Sequence, residues 1–159
     1  MNIKLVGIDG ATKKTGVCLL VNGELEKYTL VDTSKITDKR ERFVQMSSSI
    51  KALLNEWKPD IVIMEDSWNA ANVEVTKLLS KLMGTVDGWC IDNNVEYHEV
   101  LPTVWRKYAH IDQSKKKREE LKQASVQYVY DKYGVEVIDD IADSIAMADA
   151  WVNVFNEGE

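Results

Sequence analysis

Cysteine, proline and histidine are scarce in this chain, at two residues each in 159, and no apolar run approaches the ~18 residues of a membrane span. Each scarcity excludes something. Cys18 and Cys90 are too few and too far apart for a disulfide framework. Both lie in apolar surroundings, so they read as buried free thiols in a reducing, cytoplasmic compartment. His98 and His110 are isolated, and CxxC, HExxH and EF-hand loops are absent, which excludes the usual zinc and calcium patterns. No linker, internal repeat or low-complexity tract divides the sequence. The N-terminus, Met1-Asn2-Ile3-Lys4, runs straight into a strand-like pattern without a signal-peptide cleavage region. The expectation is a single domain over residues 1–159, with no membrane partner and enough length for a real core.

Positive charge is also in short supply. A formal net charge of -6 argues against a generally sticky polyanion binder. A global sum hides local fields, however. Between Thr103 and Lys122 stand Arg106, Lys107, Lys115, Lys116, Lys117, Arg118 and Lys122, opposed only by Asp112, Glu119 and Glu120. A second basic cluster, Lys39-Arg40-Glu41-Arg42, precedes a helix-like segment. Either run alone is compatible with a solvated helix face.

What is present is an alternation of strand and helix patterns. Residues 2–9 read as a buried strand, 10–16 as a turn-rich link, 17–21 and 25–31 as a hairpin around Asn22-Gly23. Residues 38–57 carry Phe43, Met46, Ile50, Leu53, Leu54 and Trp57 at helical spacing, and Pro59 follows. A strand over 60–65, a helix over 70–92, a strand over 95–100, a short helical turn opened by Pro102, and helices over 115–132 and 140–156 complete the order. That order predicts a mixed five-stranded sheet flanked by helices, its first strand central between the second and the fourth.

Four acids stand at informative places in this scheme. Asp9 and Glu65 each end an apolar strand, and Asp140 and Asp143 sit three apart where the last helix begins. Neighbouring parallel strands would put Asp9 and Glu65 at the sheet edge where α/β ligand sites form. Like charges held together resist joint ionisation, so such a cluster calls for a cation. Oxygen-only ligands favour Mg²⁺ or Mn²⁺ and suit two-metal phosphoryl transfer. Asp139 reads instead as a helix N-cap, and Asp66 alternates to the opposite side of its strand. Trp68, in a polar loop beside Glu65, either stacks on an unpaired base or folds back into the core. Trp57, Trp89 and Trp151 fall on apolar helical faces and read as core.

Taken together these residues resemble the RuvC family of Holliday-junction resolvases, which has the RNase H-like fold. Asp9, Thr15 and Gly16 follow the opening motif; Glu65, Trp68 and Asn72 the second; Asp140-Ile141-Ala142-Asp143 the last. Arg106 or Lys107 after Pro102, and one or more of Lys115 to Lys117, resemble the basic positions of the fourth segment. The chain departs from the pattern at Gly10-Ala11, where Pro-Gly is usual, at Ala109 to Gln113, and after Trp68. These departures suggest a divergent branch of viral or mobile-element type. The resemblance implies a homodimer that nicks four-way junctions symmetrically with Mg²⁺ or Mn²⁺. Asp9, Glu65, Asp140 and Asp143 would be metal ligands and catalytic. Trp68, Asn72, Arg106, Lys107, Lys115, Lys116, Lys117 and Arg118 would contact DNA. Two other readings remain: a nuclease of broader taste for branched DNA, and an actin- or sugar-kinase-like phosphate-binding domain, since residues 9–16 also resemble that family's phosphate hairpin.

Overall fold

The computed structural model describes residues 2–66, 71–114 and 116–157, the last three of these as backbone. Its strands are β1 (Lys4–Asp9), β2 (Lys14–Val21), β3 (Glu24–Asp32), β4 (Ile61–Glu65) and β5 (Glu96–Val100). Its helices are α1 (Lys39–Trp57), α2 (Val73–Asn93), α3 (Pro102–Tyr108), α4 (Arg118–Tyr133) and α5 (Asp139–Glu157). One sheet runs in the order β3-β2-β1-β4-β5, with β1 antiparallel to β2 and parallel to β4. This is the mixed five-stranded sheet expected, with β1 at its centre. Among the described residues no helix is long and apolar enough to cross a membrane.

Local chemistry accounts for most boundaries. Asn22 and Gly23 both take positive φ and close the β2–β3 hairpin, as their sequence predicts. Asp38 caps α1 by accepting from the Glu41 amide at 2.8 Å, and Lys58 ends it in the left-handed region just before Pro59. Pro102 opens α3, where a missing N–H costs nothing. Three element starts differ from expectation by three residues. Strand β2 begins at Lys14, because Thr15 and Gly16 continue the ladder opposite β1, with Gly16 facing Asp9. Helix α4 begins at Arg118, so Lys116 and Lys117 precede it. Helix α2 begins at Val73, and Asn72 is its cap, accepting from the Val75 amide at 3.1 Å.

The period of two along a strand decides which face each residue serves. On β1, Val6 and Ile8 enter a core with Met46, Ile50 and Leu54 of α1 and Leu82 and Val86 of α2. Leu5 joins the opposite core with Ile63 of β4 and Ala142, Ile145 and Ala146 of α5. Asp9 therefore shares the α5 face with Leu5 and Gly7, and Glu65 shares it with Ile61 and Ile63. Trp57 is buried as expected. Trp89 and Trp151 are only partly so, Trp89 donating to Asn55 at 2.9 Å and Trp151 packing on His98 at 4.6 Å between ring centroids.

Two glycines set how closely α5 lies on the sheet. A Cβ on Gly7 would come within 2.6 Å of the Ser144 carbonyl oxygen, and one on Gly16 within 2.0 Å of the Asp140 carbonyl oxygen. The start of α5 thus rests on bare backbone at the end of β1 and the beginning of β2. Thr15 is fully buried and ties the β1–β2 link to itself, its hydroxyl bonding both the amide and the carbonyl of Ala11. The Thr15-Gly16 pair is a packing device: the hydroxyl closes the turn and the glycine admits the helix.

Candidate active site

Strand parity, the β1–β4 parallel register and the close seat of α5 bring all four acids to one cleft of about 660 Å³. Asp9, Glu65, Asp140 and Asp143 line it, with Arg106, Arg118 and Lys122 and the apolar Val75, Leu79, Pro102 and Leu121. Their mutual influence is electrostatic as well as spatial. Burial, then the charges of Glu65, Asp143 and Asp140, hold the Asp9 carboxyl well above its ordinary range. Burial pushes Asp143 up to about 6, with Glu65 adding to the rise and a Ser125 hydrogen bond and Arg106 opposing it. Asp140 is raised by burial and Asp139, against Lys122, Lys14 and Arg118.

The residues fit a hard divalent cation. The donor set is carboxylate oxygen throughout, and Oδ1 of Asp143 is buried without a hydrogen-bond partner among the described residues. Among the described residues no three of these groups close on a single point. They share a cleft with spacing left between them, as unscreened like charges should.

Asp139 lies in the first turn of α5 and pairs with Lys122 at 3.0 Å, so it does not serve as the expected N-cap. Its charge still suits the positive end of the helix dipole. The Asp66 amide bonds Val100 across the sheet. Of the basic residues, Arg106 and Arg118 reach the cleft, while Lys107, Lys116 and Lys117 are exposed outside its lining. Asn72 faces a competing task, since its side-chain oxygen caps α2. Trp68 and Lys115 lie outside the described residues. His98 bonds Glu96 at 2.5 Å, away from the cleft lining, and both cysteines are buried with Cys18 pushed up to about 12 and Cys90 to about 11 by burial.

Sequence reasoning missed three contributors. Lys122 was one charge in a run, yet it reaches both the cleft and Asp139. Ser125 is fully buried on α4, its hydroxyl bonding the Leu121 carbonyl and lowering the Asp143 carboxyl against the rise from burial. Trp105 is buried on α3 and donates its indole N–H to Glu65 at 2.8 Å. The available signal was its spacing: Trp105 and Ala109 sit four apart after a helix-opening proline, which aims that face inward.

No family model matches the chain. A crossover junction endodeoxyribonuclease RuvC from Caldicellulosiruptor saccharolyticus is 21% identical over 105 residues, which is 63% of this chain and 63% of that protein. The chain thus aligns with under two thirds of that relative's length. Thermus thermophilus RuvC superposes with a TM-score of 0.77 at 16% identity, covering 98% of this chain and 97% of that one. The same protein in complex with a Holliday-junction substrate gives 0.75 at 17%, over 98% and 96%. The yeast mitochondrial Holliday junction resolvase Ydc2 gives 0.63 at 17%, over 95% and 78%. The strand order, the seat of the last helix and these superpositions agree: the chain has the RNase H-like fold of the RuvC-type resolvases.

Proposed function

We propose that residues 1–159 form one metal-dependent endonuclease domain that resolves four-way DNA junctions by paired symmetric nicks. The observation that carries this reading is the cleft itself, in which four acids from β1, β4 and α5 face one space rimmed by Arg106, Arg118 and Lys122. A bound Mg²⁺ or Mn²⁺ would supply an activated water and neutralise charge on the departing oxygen. Asp9, Glu65, Asp140 and Asp143 would hold it, with Asp9, on the central strand, as the principal ligand. Arg106 and Arg118 meet phosphates at the cleft, and Lys107, Lys116 and Lys117 extend that track outside it, with Lys115 a further DNA contact on the family's pattern. Trp68 stacks on a base at the junction centre, with Asn72 at the foot of α2 beside it in sequence.

A homodimer supplies two cleavage sites to match the two-fold symmetry of a junction. Helix α2 supports this. Val73, Gly84 and Ile91 are all exposed and fall on one face, and a Cβ at Gly84 or the neighbouring Gly88 would meet open space. Glycines on an exposed helix face let two helices approach closely. The buried thiols accord with work in a reducing, cytoplasmic compartment, that of a bacterial host if the protein is phage-encoded. The actin- or kinase-like reading has less support, because nearly the whole chain superposes on RuvC.

The test compares labelled four-way, flap and linear duplex DNA in Mg²⁺, Mn²⁺ or EDTA. Paired nicks in the four-way substrate, with either metal and not in EDTA, are expected. Equal cutting of flaps would favour the broader branched-DNA nuclease. ATP binding without DNA binding would overturn both.

A further inference from the structure

The indole of Trp105 is 1% exposed, and its Nε1–H donates to Oε2 of Glu65 at 2.8 Å across forty positions of sequence. Helix α3 is only seven residues long, but it is firmly held. Trp105 and Ala109 lie in the same core as Ile145 and Ala146 of α5 and Ile63 of β4, two residues before Glu65 on the same face. The indole is therefore anchored to both elements that meet at the cleft.

We propose that Trp105 is a positioning residue, whose indole N–H fixes the Glu65 carboxylate in the orientation that receives a divalent cation. This rests on the metal-site reading given above. The chemistry of the donor is the reason to single it out. A glutamate side chain is long, and holding it in one rotamer costs conformational entropy. An arginine or lysine at this place would hold it but would cancel its charge. An indole N–H donates without ionising and accepts nothing, so it orients the carboxylate and leaves the negative charge available to an ion. The next residue completes the division of labour. Arg106 lies with its guanidinium 5.1 Å from the Trp105 ring and lines the cleft with Asp143. One short helix thus delivers a neutral donor to Glu65 and a cation toward Asp143.

Trp105→Phe keeps an aromatic ring and removes the donor. Mn²⁺ affinity of the DNA-free protein, read by electron paramagnetic resonance of the free ion, is measured for wild type, W105F, E65Q and the double variant. W105F is expected to weaken Mn²⁺ binding about 10-fold, the range for partners that orient metal ligands, and to have no further effect once Glu65 is Gln. With junction substrate, kcat falls while KM and junction binding in EDTA stay at wild-type values. An equal loss in both Glu65 backgrounds, or none in either, overturns the proposal. Because the change touches the core, Trp105→His, which retains a ring N–H, goes through the same cycle and is expected to keep most of the affinity. An equal loss in both backgrounds with this variant counts against the proposal in the same way. Wild type that binds no Mn²⁺ and cuts no branched DNA overturns the proposed function itself. Wild type that does both, matched by W105F, overturns only the role of Trp105.

Discussion

Asp143 and Asp149 lie six residues apart on α5, both turned into the protein, and their surroundings are opposite. Asp149 is 2% exposed and surrounded by donors. Lys132 reaches both of its oxygens at 2.6 Å, Tyr133 donates at 2.9 Å, and the Tyr128 hydroxyl donates as well. Three residues of α4 thereby clamp one residue of α5, and the Tyr133 hydroxyl is also within 3.0 Å of the Gly23 carbonyl at the β2–β3 turn. Asp143 has a buried oxygen with no hydrogen-bond partner among the described residues, and both acids and Arg106 act on it. One carboxylate is ringed by donors, and the other is not satisfied by the described residues. Burial alone separates structural acids from functional ones poorly; the count of donors around them separates them well.

Removing the charge should therefore do opposite things at the two places. The largest effect is expected for Asp9→Asn. Junction cleavage falls by well over the ~10–100-fold typical of outer partners, while junction binding in EDTA is spared. Cleavage at wild-type rate in Mg²⁺ would defeat the metal-site reading. The same substitution is expected to raise the melting temperature of the metal-free protein, since it removes repulsion with Glu65, Asp143 and Asp140. At the other cluster, Asp149→Ala is expected to lower stability by about 3 kcal/mol, by stranding two hydroxyls and an ammonium. Denaturant unfolding measures it, and a loss under ~1 kcal/mol would erase the contrast.

The pH response sharpens the comparison. The folded pKa of Asp143, about 6, lies above the ordinary carboxylate value of 3.8. Below about pH 4 the contribution of this group to stability is fully present, because both states are protonated. Between 4 and 6 the folded state holds a proton the unfolded state has released, so stability falls as pH rises. In EDTA the decline from this residue is of order 3 kcal/mol by pH 7, and Asp143→Asn should flatten it. A melting temperature in EDTA that climbs between pH 4 and 7 in wild type, and climbs equally in the variant, would contradict this. The smallest effect is expected at the cleft rim. Lys122 and Asp139 are paired at 3.0 Å and each about one third exposed, so Lys122→Ala should cost under ~1 kcal/mol. A larger loss would move this pair from the rim into the structural class with Asp149.

Much of the fold was legible from pattern. Strand β1 was readable because Leu5, Val6 and Ile8 form a short apolar run rich in β-branched residues, the hairpin because Asn22-Gly23 accepts positive φ, and α1 because its apolar residues recur at helical spacing. The four acids were legible because each sits at the end of such an element. Boundaries were less so. Gly16 looked like part of a turn and proved to be a strand residue, because its lack of a side chain serves the helix above it. Asp139 looked like a cap and proved to be a partner of Lys122 on another helix.

The sequence by itself determined the elements, their order and the four acidic positions, because periodicity and turn chemistry act between residues a few positions apart. Tertiary structure alone decided what surrounds each acid. Trp105 beside Glu65, Ser125 beside Asp143 and the α4 donors around Asp149 all join separate elements. Contacts of that kind depend on how helices seat on the sheet, here on the clearance left by Gly7 and Gly16, and no local pattern encodes that clearance.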